Sequence, residues 1–86
     1  MPTIGAKTMA RELDTVILKV DLPGSGLAAG DLGTVVLVHQ GGRGYEVEFA
    51  TLDGETVAVV SLYDSQVRPI GRWEIAHARP VERMPA

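Results

Sequence analysis

The chain has 86 residues and no cysteine, so it is long enough for one domain, and disulfides, thiolate chemistry and cysteine zinc sites are excluded. Its formal charge of −3 argues against a protein that binds phosphate backbones, because such proteins normally carry a basic face. No apolar run approaches the length of about 20 residues that spans a bilayer, and the N-terminus lacks the apolar segment of a signal peptide. We therefore expect a soluble cytoplasmic protein.

The first half of the chain begins with an arm and continues into β-structure. Residues 1–12 show no convincing period and are interpreted as an N-terminal arm, either loose or with one helical turn. A short β-branched run predicts the first strand at residues 15–20. Residues 21–32 form a long connection rich in turn-forming residues, and the second strand is predicted at residues 34–40.

Two hairpins are predicted to set the register of the central sheet. Asp53-Gly54 is typical of a two-residue type I′ turn, because both central positions of that turn need a positive φ. This turn predicts the pairs Thr51–Thr56, Phe49–Ala58, Val47–Val60 and Tyr45–Leu62. A four-residue loop over Gly41–Gly44 adds the pairs Val38–Val47 and Val36–Phe49. Both turns place the same side chains on the core face, namely Val36, Val38, Val47, Phe49, Ala58 and Val60.

The opposite face of this sheet is expected to be more apolar than an exposed antiparallel face should be. Glu48 interrupts an apolar stripe that consists of Val35, Leu37, Val57 and Val59. Something should therefore cover the stripe. Two coverings are open at this point, either the tail of the chain, through Trp73 and Ile75, or another protein.

A single 3₁₀ turn is predicted at residues 62–66, followed by a short last strand at residues 67–70. This strand should lie at an edge, because Pro69 cannot donate a hydrogen bond to a ladder. Residues 73–79 could form two helical turns before Pro80, and the last six residues are expected to fray.

These elements predict an all-β fold, a small five-stranded SH3-like barrel with a 3₁₀ turn before the last strand and a C-terminal extension. The N-terminal arm covers residues 1–12, the barrel residues 13–70, and the tail residues 71–86, with a short helix as one interpretation of the tail.

The sequence contains no constellation typical of catalysis. Glu46 and Glu48 alternate with core residues, so both are expected on a solvated outer face rather than in a catalytic pair. His39 and His77 have no third ligand at the spacing of a metal site. Asp31 is expected to cap a turn by accepting backbone N–H bonds. We expect no enzymatic activity, no metal and no cofactor.

The remaining candidates are Tyr63, Arg68 and Trp73, with Tyr45 nearby through its predicted pair with Leu62. Aromatic residues and arginine are enriched at binding hot spots. Stacking of Arg68 on Trp73 would be a purely structural alternative. The candidate partner-binding residues are therefore Val35, Leu37, Val57, Val59, Tyr63, Arg68 and Trp73.

Several blocks of the chain carry a family resemblance when they are taken in order. These blocks are Leu13-Asp-Thr-Val-Ile-Leu, Asp21-Leu-Pro, Gly26-Leu, Gly30-Asp-Leu-Gly-Thr-Val-Val, Tyr45-Glu-Val-Glu-Phe, Asp53-Gly-Glu-Thr-Val-Ala-Val and Gln66-Val-Arg-Pro. Over residues 12–69 the sequence resembles the DUF4926 family, small bacterial and cyanobacterial proteins of unassigned function. The resemblance implies a bacterial SH3-like barrel and brings no catalytic residues.

The sequence favours a non-catalytic protein–protein interaction module, an accessory or adaptor subunit of a bacterial multi-subunit complex. The expected partner is another protein, either a larger subunit or a second copy of the chain. Residues 30–36 are also similar to the KOW element of ribosomal and transcription-factor barrels, which contact RNA through basic loops. Here the matching loops carry Arg43 alone, so nucleic-acid binding is the weaker alternative. A toxin-neutralising or regulatory partner protein is a third alternative, which the sequence does not separate from the first.

Overall fold

The structure is a computed structural model that describes residues 10–82, and in them the chain forms one antiparallel sheet. Its strands are β1 (Thr15–Leu18), β2 (Leu32–Val38), β3 (Gly44–Ala50), β4 (Thr56–Tyr63) and β5 (Val67–Pro69), in the order β4-β3-β2-β1-β5. The 3₁₀ turns cover Pro23–Ser25, Gln40–Gly42 and Asp64–Gln66. The predicted all-β class, the five strands and the 3₁₀ turn before the last strand are confirmed. None of the helical turns within residues 10–82 has the length and apolar character needed to cross a membrane.

The sheet curls around a single core and is barrel-like. Leu62 on β4 and Val67 on β5 lie on strands at opposite ends of the sheet order, yet both belong to one buried cluster. Their side chains can meet only if the sheet bends round on itself. The largest fully buried side chains come from the three central strands and are Val16, Leu18, Val35, Tyr45 and Val47.

The β3–β4 hairpin has the predicted core register, although its turn is different. The pairs Tyr45–Leu62, Val47–Val60 and Phe49–Ala58 are confirmed. Of the two turn residues only Gly54 has a positive φ, of 96°, so the type I′ prediction is wrong. Thr51 bonds Glu55 rather than Thr56, with 2.8 Å from its backbone nitrogen to the Glu55 oxygen. This turn shifts the pairing by one residue, and a β-bulge at Val57 shifts it back by adding one residue to β4. From the pair Phe49–Ala58 onward, the strands therefore have the predicted register.

The β2–β3 register differs from the prediction, and the consequence is larger. The predicted pairs Val38–Val47 and Val36–Phe49 are wrong. The loop occupies residues 40–43 and not 41–44, because the backbone nitrogen of His39 bonds the Gly44 oxygen at 2.9 Å. Positive φ angles at two loop glycines, 82° and 68°, allow the chain to turn here. Val38 therefore pairs with Tyr45, and after a bulge Val35 pairs with Val47.

This bulge reverses the orientation of two side chains. Val36 is the extra residue of β2 and is 41% exposed, whereas Val35 is fully buried in the core. The prediction that Val36 lies on the core face is wrong, and so is the prediction that Val35 faces outward. A bulge changes which face the following residues occupy, since side chains alternate along a strand.

Within residues 10–82, the segments that flank the sheet contain neither helix nor strand. Residues 73–79 contain no helix, so the helical interpretation of the tail is wrong. A helix of two turns is marginal by itself, and here side-chain bonds near both ends hold the backbone in another conformation. Of the predicted N-terminal arm only Ala10 to Glu12 lie within the described residues, and Ala10 is buried. The fraying predicted for the last residues falls largely on positions 83–86, outside that range.

Candidate functional site

The outer face of the sheet is less apolar than the sequence indicates. Of the predicted stripe only Leu37 and Val59 are exposed. Val35 is buried, and Val57 is half-buried and packs against the core. The stripe therefore does not exist as a continuous surface.

Polar side chains occupy the space between the two exposed residues. Glu46 accepts a hydrogen bond from the Ser61 hydroxyl, and its Oε2 atom lies 2.7 Å from Nε2 of His39. The Ser61 hydroxyl and, after it, the His39 ring lower the pKa of Glu46. Glu48 accepts a hydrogen bond from the Thr56 hydroxyl at 2.6 Å. The outer-face placement of both glutamates is confirmed, and their hydrogen-bonded side chains interrupt the apolar surface between Leu37 and Val59.

The three candidates Tyr63, Arg68 and Trp73 do not form one cluster. Tyr63 lines a depression of about 350 Å³ together with His39 and Arg43. Arg68 lines a different cleft, and Trp73 lines neither. The indole of Trp73 is 100% exposed, so the predicted stacking of Arg68 on it does not occur, nor does Trp73 cover the outer face.

The first ion pair of the tail fixes the chain just after β5. Arg68 and Glu74 form a two-point pair, with 2.7 Å between Nη2 and Oε2 and 3.1 Å between Nη1 and Oε1. The same carboxylate accepts the backbone N–H of Gly71. The Arg68 guanidinium and the Gly71 N–H together lower the pKa of Glu74 to about 2. Glu74 therefore stays charged over nearly the whole acid range.

A second ion pair returns the tail to the connection between β1 and β2. Arg79 donates from Nε to Oδ1 of Asp31 at 2.8 Å and from Nη2 to Oδ2 at 2.6 Å. Its Nη2 also reaches the carbonyl oxygen of Gly26 at 3.0 Å. Asp31 accepts the backbone N–H of Ala28 at 2.8 Å, as the turn-cap prediction requires. Residues 71–79, which we call the strap, are thus held near both ends.

The partnership of Arg79 with Asp31 has no signal in the sequence, because the two residues lie 48 positions apart. The hydrogen bonds from the Arg79 guanidinium are the largest cause of a lowered Asp31 pKa. A lowered folded-state pKa means that the stabilisation is present above the ordinary pKa of an aspartate and is lost as the pH falls through the folded-state value. Acid should therefore release this end of the strap.

We expect Arg79→Ala to raise the pKa of Asp31 toward its ordinary value, since the carboxylate then keeps only the Ala28 N–H. An NMR titration of the Asp31 carboxyl carbon measures this directly. Arg72→Ala is the matched control, because Arg72 lies in the same strap and makes no ion pair within residues 10–82. An Asp31 pKa that is equal in the wild type and in Arg79→Ala would show that the pair does not form in solution.

A cleft of about 330 Å³ lies between the strap and the sheet. Its apolar lining includes Ile17 of β1 and Leu32 of β2, which are paired neighbours on the outer face. Ile70 and Ile75 border it from the tail side, and both are exposed. Sequence reasoning missed this cleft, because it forms only when the tail returns to Asp31.

Trp73 stands beside this cleft without entering it. Gly71, Glu74 and Ile75 line the cleft, whereas the indole between them points into solvent. Ile75 is 94% exposed as well. The strap therefore presents its two largest apolar side chains outward. Among the described residues no group of three potential metal ligands lies together.

The comparisons with known proteins bear on the family and not on a function. The sequence model of a family described as "Domain of unknown function (DUF4926)" matches residues 12–69, which is more than half of the chain. No curated protein and no solved structure matches the chain. The matched residues contain all five strands and end at the last residue of β5, so the strap follows the matched region. The chain belongs to the DUF4926 family.

Proposed function

We propose that the protein is a non-catalytic protein–protein interaction module, an accessory subunit of a bacterial cytoplasmic complex, and that it binds its partner through the strap. The observation that carries this proposal is the complete exposure of Trp73 on a segment held by two ion pairs. Tryptophan is the residue type most typical of interface hot spots.

The conformation of the strap favours binding. A tryptophan buries about 150–250 Å² when it packs, which is a large apolar contribution for one residue. The Arg68–Glu74 and Arg79–Asp31 pairs hold the backbone on either side of the indole. A fixed segment loses less conformational entropy on association than a free tail would, so more of the contact energy contributes to affinity.

The outer sheet face offers less to a partner. Leu37 and Val59 lie on β2 and β4, with the hydrogen-bonded Glu46 and Glu48 of β3 in the strand between them. Charged residues are depleted at the centre of interfaces. We therefore place the contact on the strap and not on the part of the sheet that carries Leu37 and Val59.

We expect Trp73→Ala to abolish capture of a specific partner by the immobilised full chain from lysate of the source bacterium. The indole supplies the contact, so the loss should not depend on the stability of the domain. Bound proteins would be identified by mass spectrometry, and thermal unfolding would be measured in parallel.

Leu52→Ala is the matched control for this experiment, because Leu52 is an equally exposed apolar residue at the β3–β4 turn. The control should retain the partner. The proposal is wrong if Trp73→Ala retains the same proteins as the wild type, or if the wild type captures only what empty resin captures.

Two other functions have less support. For nucleic-acid binding, the depression beside the β2–β3 loop does bring Arg43 near Tyr63, and Arg43 makes no ion pair within the described part of the chain. The acidic balance of the chain opposes a phosphate backbone, however. A toxin-neutralising or regulatory role is a special case of the interaction proposed here, and the identity of the captured protein would distinguish it.

A further inference from the structure

We propose that the cleft beneath the strap receives Trp73 of a second copy of this chain, so that two copies form a twofold dimer with two reciprocal indole insertions. This inference rests on the proposed function, because it names the first partner of the same strap.

The indole of Trp73 lies beside the cleft and not in it. Trp73 and the cleft belong to one continuous surface, since the residues on both sides of Trp73 line the cleft while the indole itself points away. A surface that carries a protruding indole beside an apolar cleft is complementary to itself. A twofold axis through this surface places the indole of each copy opposite the cleft of the other, so that the assembly ends at two copies.

The cleft has the size that an indole needs. Its volume is about 330 Å³. A protein cavity of about 150 Å³ already admits benzene, so a bicyclic ring has sufficient room here. Ile17, Leu32 and Ile70 provide the apolar contacts.

The polar groups at the cleft also suit an indole. Arg68 lines it, and a guanidinium over the face of a tryptophan is attracted by the negative charge of the ring face. Buried indoles usually donate their N–H to an acceptor, and Thr15 and Glu74, whose side chains carry acceptor oxygens, both line the same cleft. An aromatic guest with one donor matches this lining better than an aliphatic or anionic guest does.

The area that such a dimer buries is at the lower end of the range for specific complexes. Each inserted indole buries about 150–250 Å² of its own surface and a comparable area of the cleft. Two insertions bury about 600–1,000 Å², and contacts of Ile70 and Ile75 at the rims extend the interface toward about 1,200 Å². We therefore expect a weak dimer with a dissociation constant in the micromolar range.

Trp73 is the only tryptophan of the chain, so its fluorescence reports on the proposed contact directly. We expect sedimentation velocity of the full chain to show a shift from monomer to dimer with rising concentration. The indole emission should shift to shorter wavelength over the same concentration range, because the ring leaves water as the dimer forms.

Three variants test which residues form the contact. Trp73→Ala should abolish the dimer by removing the indole, and Ile70→Glu should abolish it by placing a charge at the edge of the cleft. Leu52→Ala should dimerise like the wild type. Because Ile70 and Trp73 are exposed, both informative variants should fold, which far-ultraviolet circular dichroism would verify.

Three results would overturn the inference. One is a monomer at every concentration, and another is a dimer that Trp73→Ala does not weaken. The third is a short-wavelength emission that is independent of concentration, which would place the indole in the cleft of its own chain.

A chain that stays monomeric but loses a captured protein on Trp73→Ala would overturn the dimer and support the proposed function. A Trp73-dependent dimer that captures no other protein would support the dimer and contradict the accessory-subunit role.

Discussion

Gly33→Ala is expected to lower the free energy of unfolding by about 1–3 kcal/mol, the usual cost of inserting a methyl group into a well-packed core. Gly33 lies on β2 opposite Val16 of β1, on the side of the sheet that faces the core. A β-carbon there would lie 2.5 Å from Cγ1 of Val47 and 2.8 Å from Cε2 of Phe49. Both neighbours are buried, so neither can move aside into solvent. Urea unfolding followed by circular dichroism would measure the change.

Gly24→Ala is the control for this effect. Gly24 lies in the first 3₁₀ turn at a negative φ, and an added β-carbon there would meet no atom within 4 Å. We expect no loss of stability, and a gain of about 0.4–1 kcal/mol if the entropy of the unfolded chain falls as usual. Equal destabilisation by the two substitutions would contradict the proposed packing around Gly33.

Tyr45→Phe is expected to lower the free energy of unfolding by a similar amount, about 1–3 kcal/mol, through the loss of one hydroxyl group. This hydroxyl donates to Oδ1 of Asp64 at 2.7 Å and accepts the backbone N–H of Ala10 at 3.2 Å. It thereby joins the N-terminal arm, β3 and the 3₁₀ turn before β5. Without it the N–H of Ala10, a buried residue, loses its hydrogen-bond partner, and an unpaired buried polar group is costly.

Tyr63→Phe provides the comparison, since Tyr63 is 73% exposed and its hydroxyl group reaches water. This substitution should change the stability by less than about 0.5 kcal/mol. Chemical unfolding of both variants would separate the two sites. The pKa of Tyr45 supports the assignment as well, because burial and the bond to Asp64 raise it. An equal effect of the two substitutions would contradict the role assigned to the Tyr45 hydroxyl.

The core face of β3 was predictable because this strand alternates clearly between apolar and acidic residues. Tyr45, Val47 and Phe49 are separated by the two glutamates, so only one face of β3 can be buried. β2 offers no such guide. Its residues 35–38 are all apolar, and a run without alternation does not show which side chains face the core. The bulge at Val36 then decided the matter, and Val35 rather than Val36 became a core residue.

The tail shows a second limit of local reasoning. Residues 73–79 have some helical propensity, but propensity is a weak prior that tertiary contacts override. Arg79 bonds Asp31 and Glu74 bonds Arg68, and these contacts hold the strap in a non-helical conformation. The prediction of Trp73 as a partner-binding residue, which depends only on residue type, stays a prediction. Its position beside a cleft could not be anticipated, because Ile17 and Leu32 are distant in sequence from Ile70.

The sequence by itself determined the all-β class, the number of strands, the family and the residue types suited to binding. These properties follow from alternation, turn residues and composition, which are local along the chain. Only the tertiary structure decided that Val35 is buried, that the predicted apolar stripe is interrupted, and that the strap forms a cleft beside an exposed Trp73. Each of these depends on a bulge or on an ion pair between distant residues, and neither leaves a periodic signal in the sequence.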